Sequence, residues 1–270
     1  MPCTVEILSV GNELLLGNTV NTNASWIAAN VTSLGGAVSR ITTVPDNLME
    51  VSIAIRESLR RKPDYLITTG GIGPTFDDMT FRGVAKALKV PLRVDKNALA
   101  MVREHYARRF PNRKVSLTRP RRKMAQIPVG AMPVRNPVGT APGVRLTVGG
   151  TQIFCLPGVP KEAKAIFRAS VSKAIRASSG GVRFAESWFG VRGIMESSLA
   201  PIIDRVMRNW PGVYIKSHPR GVEAGGRPFI ELHFSISSSD SKRAERILHG
   251  ATRDLKMRLK DFEGRMGLTE

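Results

Sequence analysis

The sequence predicts an α/β protein: a mainly parallel, doubly wound sheet followed by a small α+β domain. Three observations carry this expectation. Short apolar runs alternate with segments of helical period as β-α-β-α-β-α, and the connections between them are short. Tyr65, Leu66 and Ile67 form a continuous apolar run, which suits a parallel strand buried on both faces. Beyond Ala177-Ser178-Ser179-Gly180-Gly181, a small and flexible stretch, the pattern becomes alternating: Ile230, Leu232, Phe234 and Ile236 interleave with Glu231, His233 and Ser235. The expected domains are residues 1–178 and 182–270.

The elements follow in order. Val5–Val10 is a first strand, ending in Gly11-Asn12-Glu13. A helix around 23–34 uses Trp26, Ile27, Ala29 and Val31 for packing, and Gly35-Gly36 closes it. Val38–Val44 is the second strand, and Pro45-Asp46-Asn47 leads into a helix over 48–61. The third strand, from Tyr65, runs into a glycine-rich turn. Phe81, Val84, Ala85 and Leu88 then recur at helical spacing, with Asp77 or Asp78 as the expected N-cap. Residues 92–125 read as helical, punctuated by Pro111 and Pro120. Gly143–Val148 and Gln152–Leu156 form a hairpin around Gly149-Gly150, and Pro160 suits the first position of a helix over 160–176. In the second domain Phe184–Val191 is a strand, Met195 to Trp210 mark a helix, Val213–Lys216 is a short strand, and Ala244 to Phe262 mark a closing helix. Trp26, Trp188 and Trp210 fall on packing faces and read as core.

At 270 residues with 42% hydrophobic content, the chain can bury a real core. No apolar run approaches the ~20 residues of a membrane span. The start, Met1-Pro2-Cys3-Thr4-Val5-Glu6, lacks the basic and apolar regions of an export signal, and two cysteines make no disulfide framework, so a cytoplasmic location is expected. The net charge is +19, and residues 93–123 alone hold 11 basic against two acidic residues. Polyanionic partners follow: phosphorylated small molecules, or a nucleic-acid backbone as the less favoured choice.

The chemistry concentrates at three loops that each follow the carboxyl end of a strand: Gly11-Asn12-Glu13, Gly70 to Asp78, and Pro157 to Glu162. In an open α/β sheet that edge is where ligands bind. Gly70, Gly71 and Gly73 let the backbone turn with positive φ and leave room for a ligand. Free amides near a helix start attract phosphate, yet Asp77 and Asp78 repel it; a divalent cation bridging carboxylates and phosphate resolves the conflict. General base duty falls to Glu13, Asp77 or Asp78. Other chemistries are poorly served. No P-loop ending or Gly-x-Gly-x-x-Gly fingerprint is present, and His105, His218, His233 and His249 lack metal-ligand spacing. Neither cysteine has a catalytic signature. Gly190-Val191-Arg192-Gly193 follows a strand rather than a helix and reads as a plain turn, not an RNA-binding loop.

Four blocks, taken together, resemble the competence/damage-inducible protein CinA family. They are Gly11 to Gly17 with Asn21-Thr22-Asn23, Thr69 to Asp78, Asn136 to Gly143, and Leu156 to Glu162. The N-terminal domain of that family is similar to the molybdopterin-binding proteins MoaB and MogA. The second domain looks like the smaller KH-like domain of the same family. Lys161 and Ala163 depart from the usual last motif. The resemblance implies a three-layer α/β/α molybdopterin-binding-type fold, a homo-oligomer, and a pyrophosphatase acting on ADP-ribose with Mg²⁺ or Co²⁺, aided by K⁺. It also implies that Glu13, Asn23, Gly70, Gly71, Gly73, Thr75, Asp77, Asp78, Asn136, Gly139, Pro157, Gly158 and Glu162 line the site, with Asp77 and Asp78 on the metal. Longer members end in an amidohydrolase domain acting on nicotinamide mononucleotide. This sequence ends at Glu270 without one, so that activity is not expected of it.

Three functions remain open on these grounds. The first is metal-dependent hydrolysis of a nucleotide diphosphate bond, with amides of Gly70, Gly71 and Gly158 on phosphate oxygens. The second is molybdopterin binding or adenylylation with the same loops. The third is nucleic-acid binding through residues 93–123, without catalysis.

Overall fold

The computed structural model describes residues 2–112, 116–222 and 226–266. The chain begins with strand β1 (Thr4–Val10), buried at every residue after Thr4. A one-turn helix α1 (Asn12–Leu15) leads to α2 (Thr22–Ser33), whose N-cap Asn21 accepts a hydrogen bond from the Ala24 amide at 3.1 Å. Gly35, at φ 84°, turns the chain out of that helix. β2 (Ala37–Val44) and α3 (Leu48–Arg61) follow; the Asn47 side chain caps α3 by accepting from the amides of Met49 and Glu50. β3 (Tyr65–Thr69) is buried throughout, and α4 (Thr80–Leu88) comes after the glycine-rich turn.

The helical reading of 92–125 is corrected here. The segment holds strand β4 (Leu92–Val94), helix α5 (Lys96–Arg109) and a short helix α6 (Arg119–Lys123). It closes on itself because β4 pairs antiparallel with β5 (Gln126–Pro128). The Asp95 carboxylate caps α5 at the Ala98 amide, which starts the helix four residues later than the continuous reading from residue 92. Arg113, Lys114 and Val115 lie outside the described residues.

β6 (Met132–Val134), β7 (Gly143–Val148) and β8 (Thr151–Leu156) complete the first sheet, with order β2-β1-β3-β8-β7-β6. β2, β1, β3 and β8 run parallel, while β7 pairs antiparallel with both β8 and β6. The final helical stretch runs as α7 (Pro160–Ile166), a π turn (Phe167–Val171) and α8 (Ser172–Ser178), two residues beyond the expected end. Two apolar clusters flank the sheet. Val5, Ile7, Ile67 and Phe154 meet α2, α7 and α8 on one side. Leu8, Leu66 and Ile153 meet α3, α4 and α5 on the other. Adjacent residues of one strand thus feed opposite faces, which is why buried parallel strands read as unbroken apolar runs. The result is a three-layer α/β/α arrangement around a mainly parallel sheet.

Internal contacts divide the chain into Met1–Gly180 and Gly181–Glu270. The second unit holds β9 (Arg183–Arg192), α9 (Glu196–Asn209), β10 (Tyr214–Val222), β11 (Pro228–Ser238) and α10 (Ser241–Met266). Its strands form an antiparallel sheet of order β10-β11-β9. Leu199, Ile203 and Val206 of α9, with Leu248, Ala251 and Leu255 of α10, cover one sheet face. Gly190, Val191 and Arg192 belong to β9, so only Gly193 turns, and no loop joins two helices there. Trp188 departs from its expected place in the core: it is 51% exposed on the outer face of β9. No helix among the described residues is long and apolar enough to cross a membrane.

One ion pair fastens α3 to the sheet. Glu6, 4% exposed in β1, receives Arg61 Nε at 2.7 Å and Nη2 at 2.8 Å. Burial alone raises the Glu6 pKa, but the Arg61 hydrogen bonds, Ser58 and the nearby positive charges outweigh it and hold the carboxyl below its usual value. A folded-state pKa that is depressed contributes stability above the unfolded value, and loses it as pH falls through the folded one. Arg61→Met strands this carboxylate. Full burial of both partners would cost about 3–5 kcal/mol. Because the Arg61 side chain is 37% exposed, the loss near neutral pH is expected at about 2 kcal/mol. The deficit should shrink as Glu6 protonates below about pH 4.3. Urea denaturation of both proteins across that range measures it, and a deficit independent of pH would refute the assignment.

Candidate active site

Strand order decides what the three loops can do together. β1, β3 and β8 are neighbours and parallel, so their carboxyl ends open side by side. The pocket there measures about 510 Å³. The β1 loop supplies Glu13; the turn after β3 supplies Gly70, Gly71, Gly73, Thr75, Asp77 and Asp78; the β8 loop supplies Pro157, Gly158 and Glu162.

The turn after β3 is built for close approach. At Gly70, φ is 93° and an added Cβ would lie 2.2 Å from the Val10 carbonyl oxygen of β1. Its amide donates to the Leu156 carbonyl of β8 at 3.0 Å. The expected phosphate-binding role of that amide is therefore corrected: Gly70 links three strands, and its donor is spent. Gly71 and Gly158 keep amides that have no partner among the described residues.

The two aspartates have separate tasks, and neither caps α4. That helix starts at Thr80 after Met79, with no side-chain cap. Asp78 instead closes the turn on itself: its Oδ2 accepts from the Thr75 amide at 2.7 Å and the Thr75 hydroxyl at 2.6 Å. Lys123 braces it from below, donating to the Thr75 and Asp78 carbonyls, the latter at 3.0 Å. Burial lowers the Lys123 pKa, against the pull of Asp78 and Asp77. Asp77 is left open, with a buried Oδ1 that has no partner among the described residues. The Thr75 hydroxyl first, then Asp77's own amide and the Lys123 charge, hold the Asp77 carboxyl below the usual range. One hydroxyl proton cannot serve both carboxylates at once; its 2.6 Å contact is with Asp78, and while it is held there the Asp77 carboxyl keeps only its own amide and the Lys123 charge as favourable neighbours.

Three expected site residues stand behind the wall rather than on it. Asn23 donates to the Gly158 carbonyl at 2.7 Å and shapes that loop. Asn136 donates to Glu162 Oε2 at 2.6 Å and to the Ala141 carbonyl at 2.9 Å, and its Oδ1 accepts from the Gly139 amide at 2.8 Å. An added Cβ at Gly139 would lie 2.0 Å from the Glu162 carboxyl carbon.

The sequence reading missed Asp46, Tyr106, Met124, Thr140 and Ala141, which also line the pocket. Asp46 follows β2, the strand beside β1, and is locked to the β1 loop: its Oδ2 accepts from the Asn12 amide at 2.8 Å, and its amide donates to Asn12 Oδ1 at 3.2 Å. Burial raises its pKa, and the charges of Glu13, Asp77 and Asp78 raise it further. The available signal was its position: it follows a strand end like the other three loops. Tyr106 and Met124 come from the segment taken as one helix. Arg121 lies over the Tyr106 ring at 3.8 Å from its centre, and Arg135 pairs with Glu104 at 2.8 Å. Several charges of the 93–123 region are thus committed to local contacts. Cys155 is fully buried and its thiol is pushed up to about 12 by burial, which removes it as a nucleophile.

Among the described residues no three His, Cys, Asp or Glu side chains are gathered into a ready-made metal cage. Mg²⁺ does not require one, since it is commonly held by one or two carboxylates with substrate phosphates. The unpartnered Asp77 Oδ1, and the mutual repulsion felt at Asp46, are what a cation between these groups would relieve. The chemistry of these residues is compatible with such an ion, which Asp77 would hold with Glu13 and Asp46 lining the same pocket.

A doubly wound sheet with a glycine-rich, acidic edge of this kind defines a class, and comparison with known proteins agrees. The family described as "Probable molybdopterin binding domain" matches residues 6–177, and the chain belongs to it. Within that family the domain is CinA-like. The crystallised protein CinA of Thermoplasma acidophilum, described as of unknown function, is 44% identical, with a TM-score of 0.59 over 64% of this chain and 98% of that one. Other relatives match over most of both chains. A protein of Pyrobaculum arsenaticum is 44% identical over 259 residues, covering 96% of this chain and 95% of its own. One of Metallosphaera sedula is 41% identical over 261 residues, covering 97% and 96%.

Two glycines at this edge should respond oppositely to a methyl group. Gly70→Ala meets backbone at a positive φ and is expected to cost about 3 kcal/mol of stability. Gly139→Ala meets only the end of a flexible side chain, so stability should stay within about 0.5 kcal/mol while Glu162 is displaced from Asn136. Thermal melts with a crystal structure of the second variant test this; equal destabilisation by both would refute the distinction.

Proposed function

We propose that the pocket binds the diphosphate of a nucleotide-type ligand and hydrolyses its P–O–P bond, with ADP-ribose the first substrate to test. The observation that supports this most directly is the meeting of open amides at Gly71 and Gly158 with Glu13, Asp46 and Asp77 in one pocket of nucleotide size. Amides suit phosphate oxygens, and the carboxylates suit the Mg²⁺ or Co²⁺ that such a phosphate carries, with K⁺ as a further aid. When bound, the cation would neutralise phosphate charge and make a coordinated water more acidic.

The chain's own residues then have distinct duties. Asp77, an ionised carboxylate near neutral pH, would hold the cation when one is bound. Gly71 and Gly158 donate to phosphate oxygens as negative charge develops there. Asp46 is the carboxylate suited to take the proton of the attacking water, because burial, the largest cause of its raised pKa, still favours the protonated form after a cation has relieved the repulsion. Water adds across the bridge: its oxygen joins one phosphorus, the bridging oxygen leaves with the other, and AMP and ribose 5-phosphate result. Asp78, Lys123 and Asn136 position these groups without touching substrate.

The family match favours a second reading, in which the same amides and acids serve a molybdopterin ligand, with adenylyl transfer in place of hydrolysis. Product analysis separates the two. Purified protein with ADP-ribose and Mg²⁺ or Co²⁺ should release AMP and ribose 5-phosphate, and Asp77→Asn or Asp46→Asn should each reduce the rate by about 100-fold or more. No product with any of these metals would remove hydrolysis and leave molybdopterin as the ligand to test.

The acidic cluster also predicts a titration. In metal-free protein the Asp46 carboxyl should titrate above the ordinary aspartate value of about 3.9. Glu13→Gln should move it down, and Mg²⁺ should move it further, because positive charge favours the ionised form. Carboxyl carbon NMR reads this directly. An Asp46 midpoint that ignores Mg²⁺ would place the cation elsewhere.

A further inference from the structure

The second unit carries a surface that its fold does not need. α9 and α10 cover one face of its three-stranded sheet, and among the described residues the other face carries exposed aromatic and basic side chains. The strand register sets a row across that face: Lys216 of β10 lies opposite His233 of β11, which lies opposite Trp188 of β9. Trp188 stacks on His233 with ring centres 4.2 Å apart and planes 13° from parallel, and its centre is 5.5 Å from that of His218. Half of the indole remains exposed, as does Tyr214 at 58%. Next to this row Phe229 lies over Gly190, where an added Cβ would come within 2.9 Å of its ring, and Arg192 sits 4.8 Å above the ring centre. His218 Nε2 is buried without a partner among the described residues.

We propose that this face binds single-stranded nucleic acid, with bases stacking on Trp188 and its neighbours and phosphates meeting Lys216 and Arg192. Three features on the face support that occupant. An aromatic ring held flat by a stacked neighbour, on a rigid sheet, offers a base a preformed platform at little entropic cost. Among the described residues of this face, Glu231 is paired with Arg220 at 2.6 Å, and Glu186 is tied to the His233 ring at 2.9 Å, away from Lys216 in the strand register. Lys216, exposed beside the aromatic row, offers a positive charge to a phosphate. Only unstacked bases can reach such a platform, hence single strands rather than duplex.

The test uses the full chain and fluorescence anisotropy with labelled oligonucleotides of about 20 nucleotides: single-stranded RNA, single-stranded DNA and duplex DNA. Trp188→Ala should weaken single-strand binding by about 10-fold or more, while Trp188→Phe should stay within about threefold of the native protein. Lys216→Ala should weaken it less and reduce the salt slope by about one. Duplex binding should be weaker and insensitive to Trp188. Circular dichroism confirms that each variant is folded, and Lys216→Ala tests the face independently if Trp188→Ala is not. Three results overturn the proposal. Binding unchanged in Trp188→Ala but lost when Arg119 and Arg122 are replaced places it on the basic segment of the first unit. Equal binding of single and double strands reduces it to charge. Loss of a concentration-dependent dimer in Trp188→Ala, with nucleic-acid binding intact, gives the face to a second copy.

Discussion

The first unit depends on a close approach of three strand ends at a single residue. Gly70 has the Val10 carbonyl of β1 where its side chain would be, and it donates its amide to Leu156 of β8. A side chain there would force β1 and β3 apart, and the pocket lies directly beyond that junction. Parallel order brings the loops to one edge, but the missing Cβ lets them close on a common space. Two independent demands, positive φ and contact with backbone, exclude other residues at this position.

From that junction the acidic turn acquires its division of labour. Two adjacent aspartates on a free loop would be interchangeable. Here Thr75 and Asp78 close the turn, Lys123 satisfies two of its carbonyls, and Asp77 is left with an oxygen that has no partner among the described residues. The same frame places Asp46 near three other carboxylates. Such a concentration of negative charge costs stability, and it persists because the strand ends hold it in place. Under the proposed function, a bound cation and phosphate would offset it.

The second unit follows different rules. Its antiparallel sheet needs only one covered face, so alternation sorts the side chains into a helix-packed set and an outward set. Periodicity cannot tell whether an outward aromatic will be covered by another element. Trp188 lies on β9 at a position whose cross-strand neighbour is His233, and α9 and α10 both pack on the opposite side.

By itself the sequence determined the doubly wound α/β class, the hairpin of β7 and β8, most helix limits, and the three loops that carry Glu13, Asp77 and Gly158. These are local properties, since apolar period, caps and glycine turns act within a few residues. The tertiary structure alone decided the rest. Asn12 meets Asp46 across 34 positions, Lys123 meets Asp78 across 45, and Asn23 meets Gly158 across 135. No periodicity spans such distances. They are set by which strands lie side by side, and strand order is a property of the packed sheet rather than of any one segment.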